Sequence, residues 1–279
     1  MNQINFRKER DFAATLEVAS TFIKQNFINI MKPTLIVVSV PMLIGIALIM
    51  SFMQNFFESV SNITDPSQIF SQMGSMFFSY FLVMIAFIMA YVIAIGYIKL
   101  YVEGYEKITL DDLLPILKSK TLPLILSSFL LVIIMYIGLI LCVFPGIYLS
   151  IVFAHFYAVS IIEDKGFGAA FNRSFSIIKD NWWSSFGLYI VTYLIAMGIM
   201  MVVYIPAYAI MGIEMVNSVD PNDPTALMDS MSNMVYIMPL YYVAGLIISL
   251  LFSVVSSLRY YSLVEKKEGT GESELINKL

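Results

Sequence analysis

Few side chains in this sequence are of a kind that does chemistry, and their places restrict what that chemistry is. His155 is the only histidine and the only ionisable residue deep within an apolar segment. An ionisable group inside a membrane span is by default a candidate for function. One imidazole cannot build a His-rich metal site, and no HExxH or GxSxG pattern accompanies it. The plainer reading is a neutral ring satisfied by one tyrosine, serine or carbonyl on a neighbouring helix, since interhelical polar bonds are modest.

A second group is cationic and aromatic. FNRSFSIIKDNWW, residues 171–183, sets Arg173, Lys179, Trp182 and Trp183 against the start of a long apolar run. Lys24 holds the matching place before the first apolar run. A cation near an anionic membrane surface gains about 1 kcal/mol, and tryptophan settles at the interfacial level. These five residues are candidates for holding lipid headgroups; the plainer reading has them fix the depth of their helix. Met73/Met76 and Met228/Met231/Met234 fall at helical spacing, and thioethers can select Cu(I). With 19 methionines in the chain, an apolar stripe explains that spacing without a metal. No catalytic residue, metal or cofactor is expected, and the chain reads as a non-enzyme.

The elements that carry these residues follow from composition. Hydrophobic residues make up 59 % of the 279 and charged ones 13 %. A spanning helix needs about 20 mostly apolar residues. Six segments meet or approach that: 34–53, 77–98, 122–144, 147–162, 184–213 and 235–258. Phe144-Pro145-Gly146 reads as a tight turn, with proline at a first helical position where its missing N–H costs nothing. All 16 Lys and Arg fall before the first segment, between the second and third, between the fourth and fifth, or after the sixth. The remaining connections hold only Glu58, Asp65, Glu214, Asp220, Asp223 and Asp229. Basic residues stay on the cytoplasmic side. The fold class expected is therefore all-α: a polytopic protein of the bacterial inner membrane with six transmembrane helices and both termini cytoplasmic. The first apolar run begins too far from the start to read as a cleaved leader, and Cys142, the single cysteine, permits no intramolecular disulfide.

Internal similarity is the next signal. One offset carries residues 11–27 onto 166–182, matching Phe12 with Phe167, Ala14 with Ala169, Lys24 with Lys179 and Asn26 with Asn181. The same offset brings Asn62, Asp65, Pro66 and Met73 onto Asn217, Asp220, Pro221 and Met228. We read a parallel duplication: repeat A over 12–101, a central helical hairpin over 109–163, repeat B over 167–261 and a flexible tail over 264–279. Phe167, Phe171, Phe175, Ile178 and Trp182 form one apolar stripe, which predicts an amphipathic elbow helix lying in the interface with its cations toward headgroups. Phe12, Leu16, Ala19, Ile23 and Phe27 predict the same before the first span. Asp65-Pro66, Asp220-Pro221 and Asp223-Pro224 predict capped short helices in the outer loops. Thr109-Leu-Asp-Asp predicts a capped start, with Thr109 as acceptor, for a short helix over 113–119.

Residues 144–191 resemble the bacterial membrane domain found fused to some glycerophosphodiester phosphodiesterases, together with related free-standing multi-pass proteins. The features are Pro145-Gly146, Glu163-Asp164-Lys165-Gly166, Arg173-Ser174-Phe175, Lys179 and Trp182-Trp183. The resemblance implies fold and location; it brings no activity, because the fused catalytic domain has no counterpart here. The spans lack carboxylates, which argues against a proton-driven carrier. The function expected is a non-enzymatic membrane module that binds lipid or another membrane protein, and no nucleic acid. The alternative is a transporter or permease for a small or lipidic solute.

Overall fold

The computed structural model describes residues 4–60, 66–141, 143–217 and 234–269. Seven α-helices lie among them: α1 (Phe12–Val60), α2 (Pro66–Val102), α3 (Leu110–Leu141), α4 (Val143–Ile162), α5 (Phe167–Ile178), α6 (Trp182–Asn217) and α7 (Met238–Glu268). A 3-10 turn, Met234–Ile237, precedes α7. Six of the helices, all but α5, are long and apolar enough to cross a membrane. Helices suit that solvent because each satisfies its own backbone polar groups. Hydroxyls on them do likewise: those of Thr34, Ser79, Ser128, Thr192 and Ser253 each donate to the carbonyl four residues back. Such back-bonding removes them as a polar path through the apolar segments.

Several boundaries differ from expectation, each for a local reason. The elbow expected before the first span is continuous with it in α1, whereas α5 and α6 are separated at residues 179–181. Gln25 stands where Asp180 stands in the later copy, and glutamine is the better helix former. Pro66 does open a helix, but that helix is α2 itself rather than a short outer piece. The short helix expected over 113–119 is part of α3, which runs through Pro115 and Pro123. The carbonyls those prolines orphan belong to Asp111 and Ser119, both exposed, so water can bond them. At the start of α3 the cap runs the other way: Thr109 donates through N–H (2.8 Å) and Oγ1 (2.6 Å) to the Asp112 carboxylate. Phe144-Pro145-Gly146 is not the turn but lies within the first turn of α4. The expected tail is helical as far as Glu268, held by bonds from Lys266 to Asn181 and from Lys267 to Ser176. Cys142, Asp65, Asp220, Asp223, Met228, Met231 and residues 270–279 lie outside the described residues.

The chain forms two compact units. One comprises Val38–Phe87 and Ile195–Ile248, and contains stretches of α1, α2, α6 and α7. Gly45 permits a close approach there, since a Cβ would stand 2.8 Å from Val83 Cγ2 and 3.1 Å from the Ser79 carbonyl. Tyr204 packs on Tyr241 at 4.5 Å. Leu43, Val202 and Ile205 are exposed, as lipid-facing side chains are.

The other unit comprises Met1–Val37, Ile88–Leu194 and Ser249–Leu279. Phe6 is buried against Phe22, Tyr101 and Tyr261, at 5.1 to 5.9 Å, and ties the segment before α1 to α2 and α7. Asp11 caps α1 by accepting from Ala14 N–H at 2.8 Å. The α3–α4 hairpin closes over glycine: a Cβ on Gly146 would stand 2.3 Å from Leu139 Cδ2. Helix α5 then folds back along α4, pairing Phe167 with Phe156, Phe171 with Phe153 and Phe175 with Tyr148. The start of α4 therefore meets the start of α6, where Trp182 Nε1 donates to the Tyr148 carbonyl at 3.3 Å. Ser184 and Ser185 accept from Arg259, and the next residue, Tyr260, donates to Glu163 just past the end of α4. The start of α4 thus lies by the start of α6, which bonds Arg259, and the residue after its end bonds Tyr260, the next residue of α7.

Candidate functional site

The corner between α5 and α6 builds the site. Asn181 N–H donates to the Ile178 carbonyl at 2.9 Å, which turns the chain after Lys179. Trp182 then lies between two rings, parallel to Tyr148 at 5.7 Å and to Phe186 at 5.0 Å. Trp183 stands edge-on to it at 4.7 Å and is 78 % exposed. Stacked rings bury area at little entropic cost and keep the indole N–H on a fixed acceptor. The result is a groove of about 700 Å³ lined by Phe144, Pro145, Tyr148, Lys179, Trp182 and Trp183, among others. Its walls are aromatic and aliphatic, and Lys179 and Asp180 are its charged residues. Among the described residues the Lys179 ammonium makes no ion pair.

Of the five candidate headgroup residues, the structure brings together Lys179, Trp182 and Trp183. Lys24 is exposed on α1 and does not line the groove. Arg173 is committed elsewhere: Nε donates to Glu163 Oε1 at 2.9 Å and Nη2 to Glu268 Oε1 at 2.6 Å. Glu163 also accepts from Lys165 and from the Tyr260 hydroxyl (2.8 Å). Burial pushes the Glu163 carboxyl up, but the bonds from Lys165, Arg173 and Tyr260 outweigh it and hold it below the usual carboxylate range. Burial likewise lowers Arg173, while Glu163 and Glu268 more than restore it, so the guanidinium is held above its ordinary value. Asp164 pairs with Lys120 and adopts a left-handed φ of 55°, which aspartate tolerates better than most residues. The phenylalanine stripe of α5 lays its rings on α4 and stays half-buried, while Ala170, Ser174, Ile177 and Ile178 form the buried face. Apolar periodicity could not have told a neighbouring helix from lipid, and the ion network had no sequence signal beyond the presence of its charges.

His155 is fully buried. Its Nδ1–H donates to the Ile151 carbonyl at 3.1 Å, on its own helix and not on a neighbouring one. The Tyr189 ring stands edge-on at 5.5 Å. Among the described residues His155 Nε2, Tyr189 Oη and Ser257 Oγ are buried without a partner.

Helices of this length and apolarity, with a stacked tryptophan beside a cation where one of them begins, define a multi-pass membrane protein. The chain belongs to the family described as Domain of unknown function (DUF7847), which matches residues 12–263. No curated protein and no solved structure matches it.

Proposed function

We propose that the protein is a non-enzymatic lipid-binding module of the bacterial inner membrane, with both termini cytoplasmic and kinship to the phosphodiesterase-fused membrane domains. The observation that carries this is the groove, which joins a cation unpaired among the described residues to an apolar aromatic trough, the chemistry of a lipid phosphate above its acyl chains. Lys179 holds the anionic headgroup; Tyr148, Trp182 and Trp183 bind the region beneath it. Distribution of the basic residues supports the orientation, and the parallel duplication belongs to the same reading. Charge reversal at Lys179 removes one attraction and adds one repulsion, roughly 2 kcal/mol at about 1 kcal/mol per charge. Native mass spectrometry of protein released from mixed-lipid nanodiscs should show selective retention of anionic over zwitterionic lipid, weakened about tenfold or more in Lys179→Glu. Trp182→Ala should weaken retention of both classes. Equal retention of all lipids by the unaltered protein would sink the proposal.

A further inference from the structure

A second pocket of the same unit, about 550 Å³, is lined by Glu9, Arg10, Asp11, Asn181, Arg259 and Lys266, among others. It shares Asn181 and Ser184 with the lipid groove but goes beyond it, since none of Lys179, Trp182 or Trp183 lines it and its cations are others. Arg259 is only 6 % exposed, yet its partners are neutral: Nε donates to Ser185 Oγ at 3.0 Å and Nη2 to Ser184 Oγ. Arg10 donates to the carbonyls of Phe6 (3.0 Å), Lys8 (3.2 Å) and Asn5. Among the described residues neither guanidinium forms an ion pair. Of the two carboxylates on the pocket wall, Asp11 caps α1 and Glu9 Oε1 lies 3.6 Å from Lys266 Nζ, so Arg10, Arg259 and Lys266 outnumber them. A buried guanidinium hydrogen-bonded only to neutral oxygens is costly until an anion joins it. Asn181 and Ser184, at the start of α6, also line the pocket and place the positive end of a long helix there.

We propose that this pocket binds a phosphate-type oxyanion, with Arg259 as the principal donor through Nη1 and its remaining Nη2 hydrogen, and with Arg10 and Lys266 at its rim. The planar guanidinium fork suits two oxygens of one phosphate. The source is either a lipid headgroup or free phosphate, and two arms separate them. In one, inorganic phosphate is titrated calorimetrically into protein in phosphatidylcholine nanodiscs. In the other, retention of phosphatidic acid from mixed nanodiscs is read by native mass spectrometry. Saturable binding in either arm is expected, weakened about tenfold or more in Arg259→Gln, less in Lys266→Gln, and only partly restored in Arg259→Lys. Lys179→Gln, which removes the groove's cation without adding an anion, should weaken the phosphate arm far less than Arg259→Gln, which separates this site from the groove. If Arg259→Gln does not fold, Arg10→Gln and Lys266→Gln decide. No saturable binding in either arm, or variants that bind like the unaltered protein, would overturn the proposal.

The course of α4 points independently to a re-entrant hairpin. A helix of 20 residues is about 30 Å long, and laid along α7 its ends would meet widely separated positions. Its start instead bonds Trp182, two residues before Ser184, a partner of Arg259, and Glu163 just past its end bonds Tyr260, while Phe144 lines the same groove as Lys179. Ile140 and Phe144 near the hairpin tip are 83 % and 80 % exposed. We infer that α3 and α4 enter and leave the bilayer from the side that holds Lys179, with this apolar tip immersed in that leaflet. Spin labels at Phe144→Cys and Lys179→Cys, in a Cys142→Ala background in nanodiscs, should lie well within the roughly 30 Å of hydrocarbon thickness. Phe144→Cys alone should resist an impermeant thiol reagent applied outside intact cells. A separation at or beyond that thickness, or labelling from outside, would overturn the inference.

Discussion

Replacing Glu163 with glutamine is expected to lower stability by roughly 2–4 kcal/mol, slightly below the range for breaking a fully buried pair because the site is partly wet. The Glu163 side chain is 14 % exposed and accepts from Lys165, Arg173 and Tyr260. Those three donors come from the α4–α5 link, α5 and α7, so one carboxylate joins three parts of the chain. Glutamine keeps an acceptor oxygen but leaves the Arg173 guanidinium with Glu268 alone. The same network sets a pH dependence. The folded carboxyl lies below its ordinary value of 4.5, so the unfolded chain binds the proton more readily. The stabilisation is therefore complete above about pH 4.5 and is lost as pH falls through the lowered folded value. Thermal unfolding in detergent across that acid range should decline in the unaltered protein and flatten in Glu163→Gln. Coincident curves for the two would remove the network from any account of the fold.

Adding one methyl group at Gly146 is expected to be as damaging, at about 2–3 kcal/mol, the upper range for overpacking a close contact. An alanine Cβ would stand 2.3 Å from Leu139 Cδ2, 2.4 Å from Cγ and 3.1 Å from the backbone Cα. The leucine tip can rotate away, but the Cα cannot, so the hairpin must splay. Gly138 faces the same seam, where its Cβ would lie 3.4 Å from Gly146 Cα, and this is how two apolar helices approach when small residues line their contact. Gly168 is the control. It lies in the first turn of α5 with nothing within 4 Å of a built Cβ, so Gly168→Ala should stabilise slightly, by at most about 0.5 kcal/mol, through helix propensity alone. Melting temperatures of the two variants should move in opposite directions. A neutral Gly146→Ala would show that the hairpin is not closed at this point.

Much of the architecture was written in local signals. The long Ile, Leu, Met and Phe runs marked the six apolar helices because hydrocarbon admits no other way to satisfy a backbone. Pro66 opens a helix, as its fixed φ permits, and Trp182-Trp183 marked the level where α6 begins. Signals that compare one apolar surroundings with another were not legible. The stripe Phe167, Phe171 and Phe175 fits lipid and fits α4 equally well, since a neighbouring helix is about as apolar as an acyl chain. Arg173 was readable as a cation near a membrane surface, but not as the partner of Glu163 and Glu268, which reach it from elsewhere in the chain.

By itself, then, the sequence determined the class of protein, where its helices lie and which residues are scarce enough to carry chemistry. These depend on composition and on spacing within one helix. Tertiary structure alone decided that the start of α4 meets the start of α6, that among the described residues Lys179 and not Arg173 keeps a free charge beside the tryptophans, and that Arg259 lies buried among hydroxyls. Each of those depends on which distant segment supplies the neighbouring atoms, and the energies that choose between neighbours are differences between nearly equal apolar contacts or between alternative ion pairs.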